Sequence, residues 1–404
     1  MSGPNERRRA AGHASVPVLR TFESPRFRLL VAMLLTLLGF ALNIARLTVY
    51  DPSDPGLAFD FAAYYHAAER MLAGSSPYTA NQLEGAGVGL CLDCYLYPPF
   101  FAQLLSLITL VPLAAAKVIW LVTSYVAAFV STWLATGIGG ATRSLERAIW
   151  CLAVALLFDG VASAAWNGNV GTIVALGVTL VALGGVAAGV GAGLGLLLKV
   201  APGTLLPAVF AANRQSRTAL VVTLAIVVGS LFLLAPQAWF EYPMVLGDVF
   251  ASPSGAGANL AINQVLSNWG WGSEASSVVR VAMVATGGVC VVVSIWLARQ
   301  QGGMPAAALL GTVAMLIIPG TLWFHYLAVL LPFAAMAWPR AGAITRSLLL
   351  TSAVFVSIAP YLGEPPLLVY LGSTLLLGAA GWVLWPRPSG ARAMADRSLA
   401  PIHR

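Results

Sequence analysis

The chain has 404 residues, of which 59% are hydrophobic and only 9% charged, with a mean hydropathy of +0.83. A soluble chain of that length could not hide so much apolar surface, so a polytopic, all-α membrane protein is expected. The formal net charge of +7 comes largely from arginines in the two tails. This favours contact with an anionic inner leaflet. No aromatic-interleaved basic patch is present, and nucleic acid is not an expected partner.

Residues 1–28 carry Arg7, Arg8, Arg9, Arg20, Arg26 and Arg28 and form a basic cytoplasmic tail. The apolar run from Leu29 to about Tyr50 is long enough to cross a bilayer, and it lacks the short core and small-residue cleavage site of a signal peptide. With positive charge held inside, the chain emerges on the outer face near Asp51. The first extracytoplasmic loop, 51–97, holds Asp51, Asp54, Asp60, Glu69, Glu84 and Asp93 against the single base Arg70. Within it Phe61, Tyr64, Tyr65, Ala68 and Leu72 recur at roughly helical spacing. They predict an amphipathic helix at the outer interface, ended by Gly74 and Pro77.

Downstream runs are Phe100–Pro112, Val118–Gly137, Ile149–Ala165, Val170–Val186, Gly189–Ala212 with a break at Pro202, and Ala219–Ala235. A second extracytoplasmic loop, 236–277, precedes Val278–Ala298, Ala306–Ile318, Leu322–Trp338, Leu348–Tyr361 and Leu367–Trp385. The transmembrane domain is therefore 29–385 with about twelve crossings, and 386–404 is a second cytoplasmic tail. Arg214, Arg217, Arg299, Arg340 and Arg346 all fall inside on this scheme. Arg143 and Arg147 fall outside if Phe100–Pro112 spans the membrane, and inside if that run is re-entrant. Cys151 and Cys290 lie in apolar runs and read as core residues. Cys91 and Cys94 in CLDC either close a small disulfide or remain two free thiols.

Because charges are so few, each one carries information. Asp60 sits just outside the first crossing, where a carboxylate suits a general base acting on a sugar hydroxyl; a helix cap is the alternative. Lys199, one of two lysines, either snorkels or is a cation beside a proline break that meets a phosphate or carboxylate. His325 in WFHY is a structural hydrogen-bonder or part of a site, and Trp323 and Tyr326 also fit an interfacial aromatic belt. The amides Asn167, Asn169, Asn263, Gln264 and Asn268 can bind sugar hydroxyls or simply make turns. Asp159 and Glu241 are isolated acids without an assigned role. A divalent cation would want several oxygens, and Asp51, Asp54 and Asp60 are the only visible cluster; neither metal nor cofactor is expected.

Together these residues resemble a known family, the GT-C glycosyltransferases, and within them family 87, the polyprenol-phosphate-mannose-dependent mannosyltransferases. The resemblance runs from about Asp60 to Tyr326. It rests on D-F-x-x-Y-Y from Asp60, G-x-x-P-Y at Gly74–Tyr78, Y-P-P at Tyr97–Pro99, Asn167-Gly168, K-x-x-P at Lys199–Pro202, Asn263-Gln264 and W-x-H-Y at Trp323–Tyr326. Asn169 replaces the glutamine expected after the glycine, and Val265 the serine that often follows Asn-Gln.

The resemblance implies a GT-C-like membrane glycosyltransferase. It would move a hexose or pentose, mannose first, from a polyprenyl-phosphate sugar donor to a hydroxyl of a lipid or glycan acceptor on the outer face of the cell membrane. Asp60 would be the base, Lys199 and His325 would bind the donor phosphate, and the lipid tail would lie between helices. Tyr64, Tyr65, His66, Tyr97, Asn167, Asn169, Asn263, Gln264 and Trp323 would line the substrate. A transporter or flippase of lipid-linked sugars would share many of these features without catalysis.

Overall fold

The computed structural model describes residues 24–48, 56–84, 94–230, 232–251, 259–362 and 365–386. The arginines of both tails other than Arg26 and Arg28, and Asp51, Asp54, Cys91 and Asp93, lie outside the described residues. Among the described residues every regular element is helical. The first half contains α1 (Pro25–Thr48), α2 (Phe59–Leu72), α3 (Ala80–Leu83), α4 (Pro99–Leu105), α5 (Leu113–Ile138), α6 (Leu145–Leu157), α7 (Asp159–Asn167), α8 (Gly171–Leu183) and α9 (Gly185–Leu198). The second contains α10 (Leu206–Ala212), α11 (Arg214–Ser230), α12 (Ala238–Ala251), α13 (Ile262–Asn268), α14 (Ser273–Ala298), α15 (Met304–Ile317), α16 (Leu331–Ala337), α17 (Ala343–Ile358) and α18 (Pro365–Leu384). Tight 3-10 turns at Ser106–Leu110, Ala201–Leu205 and Phe324–Leu330 lead out of α4 and into α10 and α16.

Among the described residues, five helices are long and apolar enough to cross a membrane: α1, α5, α14, α17 and α18. A sixth span results if α6 and α7, bent by 65°, count as one. The expected count of about twelve is not confirmed, because several apolar runs break into short pieces. Residues 171–198 and 206–212 form helices of 13, 14 and 7 residues. Thirteen residues rise only about 20 Å, short of the roughly 30 Å hydrocarbon layer. The breaks fall where the backbone leaves helical geometry: Gly184 at φ 82°, Lys199 extended at φ −162° and Asn213 extended at φ −155°.

Contacts between α1 and α6 settle the side of the bundle on which Arg143 and Arg147 lie. Arg28 Nε donates to Glu146 Oε1 at 2.8 Å, Asn43 Nδ2 to the Leu156 carbonyl at 3.0 Å, and Arg46 pairs with Asp159. The two helices therefore run parallel, and Arg143 and Arg147 sit at the end where α1 begins. Arg340 Nη2 reaches the Ile138 carbonyl at 2.8 Å at that same end. Among the described residues α5 is the one helix between α1 and α6 long and apolar enough to cross a membrane, and Pro99–Leu110 is too short to count as a span of its own.

The two polar loops pack on each other. Ser76 Oγ donates to Glu241 Oε2 at 2.5 Å, Gln237 Nε2 to the Gly74 carbonyl at 3.4 Å, and the Tyr78 and Tyr242 rings stack at 6.2 Å. In the first loop, Arg70 closes the turn after α2 by donating through Nε to the Pro77 carbonyl at 3.2 Å. Cys94 is disulfide-bonded, and Cys151 and Cys290 are free.

α2 differs from a helix floating at an interface. Phe61, Ala63, Tyr64, Tyr65, Ala67, Ala68 and Met71 are buried, whereas Leu72, expected on the apolar face, is 51% exposed. Its inner face is aromatic and meets protein: Phe61 stacks on Trp120 of α5 at 5.0 Å, and Tyr64 makes edge contacts with Tyr97 at 4.7 Å and Phe101 at 5.1 Å. Each fully buried aromatic of this kind contributes about 2–3 kcal/mol. α2 is thus a fixed part of the core, and the residue it presents at its first turn is held to that precision.

Candidate functional site

Asp60 stands in the first turn of α2 but does not cap it. The cap position is Ala58, at φ 58°, with no side-chain cap bond. That left-handed residue turns the chain so that Ala58 N–H donates to the Trp166 carbonyl at 2.8 Å, docking the start of α2 on the end of α7. There the chain passes through Asn167-Gly168-Asn169-Val170-Gly171 into α8. Gly168 has φ +70°, and a Cβ on it would lie 2.7 Å from Phe61 Cβ and 2.8 Å from Ala58 Cβ. A Cβ on Gly171 would lie 2.6 Å from the His325 carbonyl oxygen. These two glycines let the turn wedge between α2 and the His325 segment.

Asn169, 1% exposed, lies between them, directly after Gly168. Its Nδ2 donates to Asp60 Oδ2 at 2.6 Å and to Tyr97 Oη at 3.2 Å, and its Oδ1 accepts from Gly171 N–H at 3.0 Å. Tyr64 Oη donates to Tyr97 Oη at 2.7 Å. Burial pushes the Asp60 carboxyl above the usual carboxylate range. The Asn169 hydrogen bond and the Lys199 cation pull in the opposite direction without cancelling it.

Lys199 comes from the other wall. It ends α9 in an extended conformation just before the Pro202 turn, so its side chain leaves the helix axis and enters the interior. Nζ lies 3.3 Å from the centre of the Tyr326 ring and 5.7 Å from that of Tyr97. Among the described residues neither Lys199 Nζ nor His325 Nε2 has a hydrogen-bond partner, and both are shut off from the surface. A third element, Pro319-Gly320-Thr321, is held by Asn259. This fully buried amide accepts from Leu322 N–H at 2.9 Å and donates to the Gly320 carbonyl at 3.3 Å.

Asp60, Tyr97, Asn167, Asn169, Lys199, Trp323, His325 and Tyr326 all line one cavity of about 820 Å³. Much of its remaining wall is apolar, with Val174, Leu196, Val200, Leu246, Met315, Leu316, Ile318 and Val329. Not every residue expected to bind substrate reaches it. Tyr64 lies one layer behind, touching it only through Tyr97. Tyr65 Oη turns away to the Val111 carbonyl at 2.9 Å, and His66 Nδ1 pairs with Glu69 at 2.8 Å on the surface. Asn263 and Gln264 lie on α13 and do not line the cavity; Gln264 Nε2 donates to Asn268 along its own helix at 3.1 Å. Asn259 and Tyr326, absent from the expected site residues, are part of the frame. Tyr326 was visible as the end of W-x-H-Y. Asn259 follows a Ser/Gly/Ala-rich stretch without periodicity and gave no signal. Among the described residues no group of three or more His, Cys, Asp and Glu side chains is placed to hold a metal ion.

The arrangement places a half-buried carboxylate with one engaged oxygen in the same pocket as an ammonium and an imidazole nitrogen that have no partner among the described residues, beside an apolar wall. Its helices are those of a multi-pass membrane protein. The sequence profile of glycosyltransferase family 87 matches residues 95–319, more than half of the chain, and the chain belongs to that family. It is a membrane glycosyltransferase. No curated protein matches the chain.

Proposed function

We propose that the protein transfers a sugar, mannose first, from a polyprenyl-phosphate donor to a hydroxyl of a lipid or glycan acceptor at the outer face of the plasma membrane. The observation that carries this reading is the sharing of one cavity by Asp60, Lys199 and His325, with Lys199 Nζ and His325 Nε2 buried and without a hydrogen-bond partner among the described residues. A buried cation without an acceptor is costly unless a ligand supplies one, and a phosphate does so. The apolar wall suits an isoprenoid tail, which needs no polar group to hold it.

In the reaction the acceptor oxygen attacks the anomeric carbon and its proton passes to Asp60. The carbon–oxygen bond to the phosphate breaks, and its electron pair leaves with the phosphate, whose charge Lys199 and His325 meet. The single displacement inverts the anomeric centre. The packing of the loops 51–97 and 236–277 on each other supports a shared outer side, with both termini cytoplasmic and membrane lipids around the spans.

The test is transfer of labelled mannose from polyprenyl-phosphate mannose to a panel of lipid and glycan acceptors by the full chain in nanodiscs. Transfer that is lost in Asp60→Asn is expected. No transfer from any polyprenyl-phosphate sugar, or full activity in Asp60→Asn, would overturn the proposal.

A further inference from the structure

We infer that Asn169 does not bind sugar but is a positioning residue: it fixes one oxygen of the Asp60 carboxylate and, through Tyr97, turns a phenol hydrogen into the cavity as an additional donor. The inference rests on the reading of Asp60 as the base and adds to it the hydrogen-bond logic that sets the base.

A backbone N–H can only donate, so the bond from Gly171 N–H identifies the Asn169 atom facing it as Oδ1 and fixes the amide's orientation. Both hydrogens on Nδ2 are then committed, one to Asp60 Oδ2 and one to Tyr97 Oη. Asn169 has no donor left for a substrate. Asp60 keeps its Oδ1 without a partner among the described residues, and an acceptor hydroxyl can approach that oxygen.

The same accounting fixes Tyr97. Tyr64 is 1% exposed and enclosed by the rings of Phe61, Tyr95, Phe101 and Trp120. Among the described residues its hydroxyl has one partner, Tyr97 Oη, so it spends its hydrogen there. Tyr97 Oη thus receives two hydrogens, from Tyr64 and Asn169, and a phenol oxygen has no capacity for a third. Its own hydrogen points away from both, and the open direction is the cavity that Tyr97 lines. A group that can only donate there matches an oxygen that can only accept, such as a phosphate oxygen, and it stands beside Lys199.

The experiment follows the protonated-carboxyl stretch of Asp60 by infrared pH titration of the full chain in nanodiscs, identified by its absence in Asp60→Asn. Lys199, His325, Tyr64, Tyr97 and Tyr326 are the other titratable groups around Asp60, and they are unchanged in the Asn169 variants. Asn169→Ala removes the donor to the charged form and is expected to raise the midpoint by about one unit or more. Asn169→Asp keeps the acceptor for Gly171 and the size of the side chain but sets two carboxylates together, so the upward shift is larger. Tyr97→Phe is expected to leave the midpoint within about half a unit while lowering kcat/KM about tenfold or more.

An unmoved midpoint in both Asn169 variants, or an unchanged kcat/KM in Tyr97→Phe, overturns the inference. The infrared midpoint needs no donor substrate. A shifted midpoint in a protein that transfers no sugar upholds the Asn169–Asp60 coupling and sinks only the base reading. An unmoved midpoint in an active enzyme does the reverse.

Discussion

Lys199 Nζ lies 3.3 Å from the centre of the Tyr326 ring, yet no acceptor among the described residues reaches it. The ring face recovers about 1–2 kcal/mol of the cost of burying the ammonium, and the ammonium's donors stay open. Lys199 is therefore built to meet an anion that arrives with the substrate. Lys199→Met is expected to lower kcat/KM by about 10²–10³, the scale of a lost oxyanion donor, with no fall in thermal midpoint because an unpaired buried charge has been removed. Steady-state kinetics beside a melting curve check both halves. A variant that melts lower and keeps full activity would make Lys199 a structural residue.

The half-buried position of Asp60 has opposite consequences for activity and for stability. Its carboxyl is raised, so the folded protein holds that proton more tightly than the unfolded chain does. The contribution to stability is complete below the unfolded value of about 4 and is lost as pH rises through the raised value. Activity needs the ionised form and runs the other way. The acid limb of kcat/KM should lie above about pH 4, while the thermal midpoint, corrected against Asp60→Asn, declines over the same interval. A limb at or below pH 4 would show that Asp60 is solvated in the working enzyme.

Gly168 sets the contact between α2 and the turn that carries Asn169. Alanine there must adopt φ +70° with its Cβ 2.7 Å from Phe61 Cβ and 2.8 Å from Ala58 Cβ. Left-handed strain costs about 1–2 kcal/mol and the overlap about 1–3 more. The simplest relief moves the turn away from α2 and lengthens the Asn169–Asp60 bond. Gly168→Ala should thus lose transfer activity at temperatures well below its reduced melting point, which activity assays run alongside thermal unfolding will reveal. Equal losses of the two would mean the turn merely supports the fold.

The sequence was most legible where chemistry is scarce. In a chain with two lysines, Lys199 beside Pro202 stands out, and its break from α9 into a 3-10 turn is the local structure that the proline implies. The helix around Asp60 was legible from its spacing, since Phe61, Tyr64, Tyr65 and Ala68 do share a buried face. Its depth was not, because an aromatic stripe looks the same whether it meets lipid or Trp120 and Phe101. Nor could sequence tell that His66 pairs with Glu69 on the surface while Tyr97 enters the cavity. Both are polar-tipped rings in one loop, and only tertiary packing separates them. The count of about twelve crossings is not confirmed for a related reason: apolar composition continues through Gly184 and Lys199, where the helix itself does not.

Arg46 and Asp159 form a contact that holds the end of the bundle where α1 finishes. Arg46, in the last turn of α1, pairs with Asp159 at the bend between α6 and α7, and Tyr361 at the end of α17 donates to the same carboxylate at 3.2 Å. Ser357 Oγ accepts from Asp159 N–H at 3.2 Å, adding a second link to α17. Three spans thus converge on one acid that lies eight residues before Asn167 and is 6% exposed. Asp159→Ala leaves the Arg46 cation, 30% exposed on its side chain, with its carboxylate gone. Breaking a buried pair costs about 3–5 kcal/mol, and the partial exposure of Arg46 places this one near the lower end, about 3 kcal/mol. The double replacement Arg46→Met with Asp159→Leu removes both charges and should recover most of that loss. Because α7 carries the Asn167–Asn169 turn to Asp60, the single variant should also lower kcat and move the infrared midpoint of Asp60 upward as the Asn169 hydrogen bond loosens. Thermal unfolding of the three proteins measures the coupling, and a double variant no more stable than Asp159→Ala would show that the pair contributes nothing to the fold.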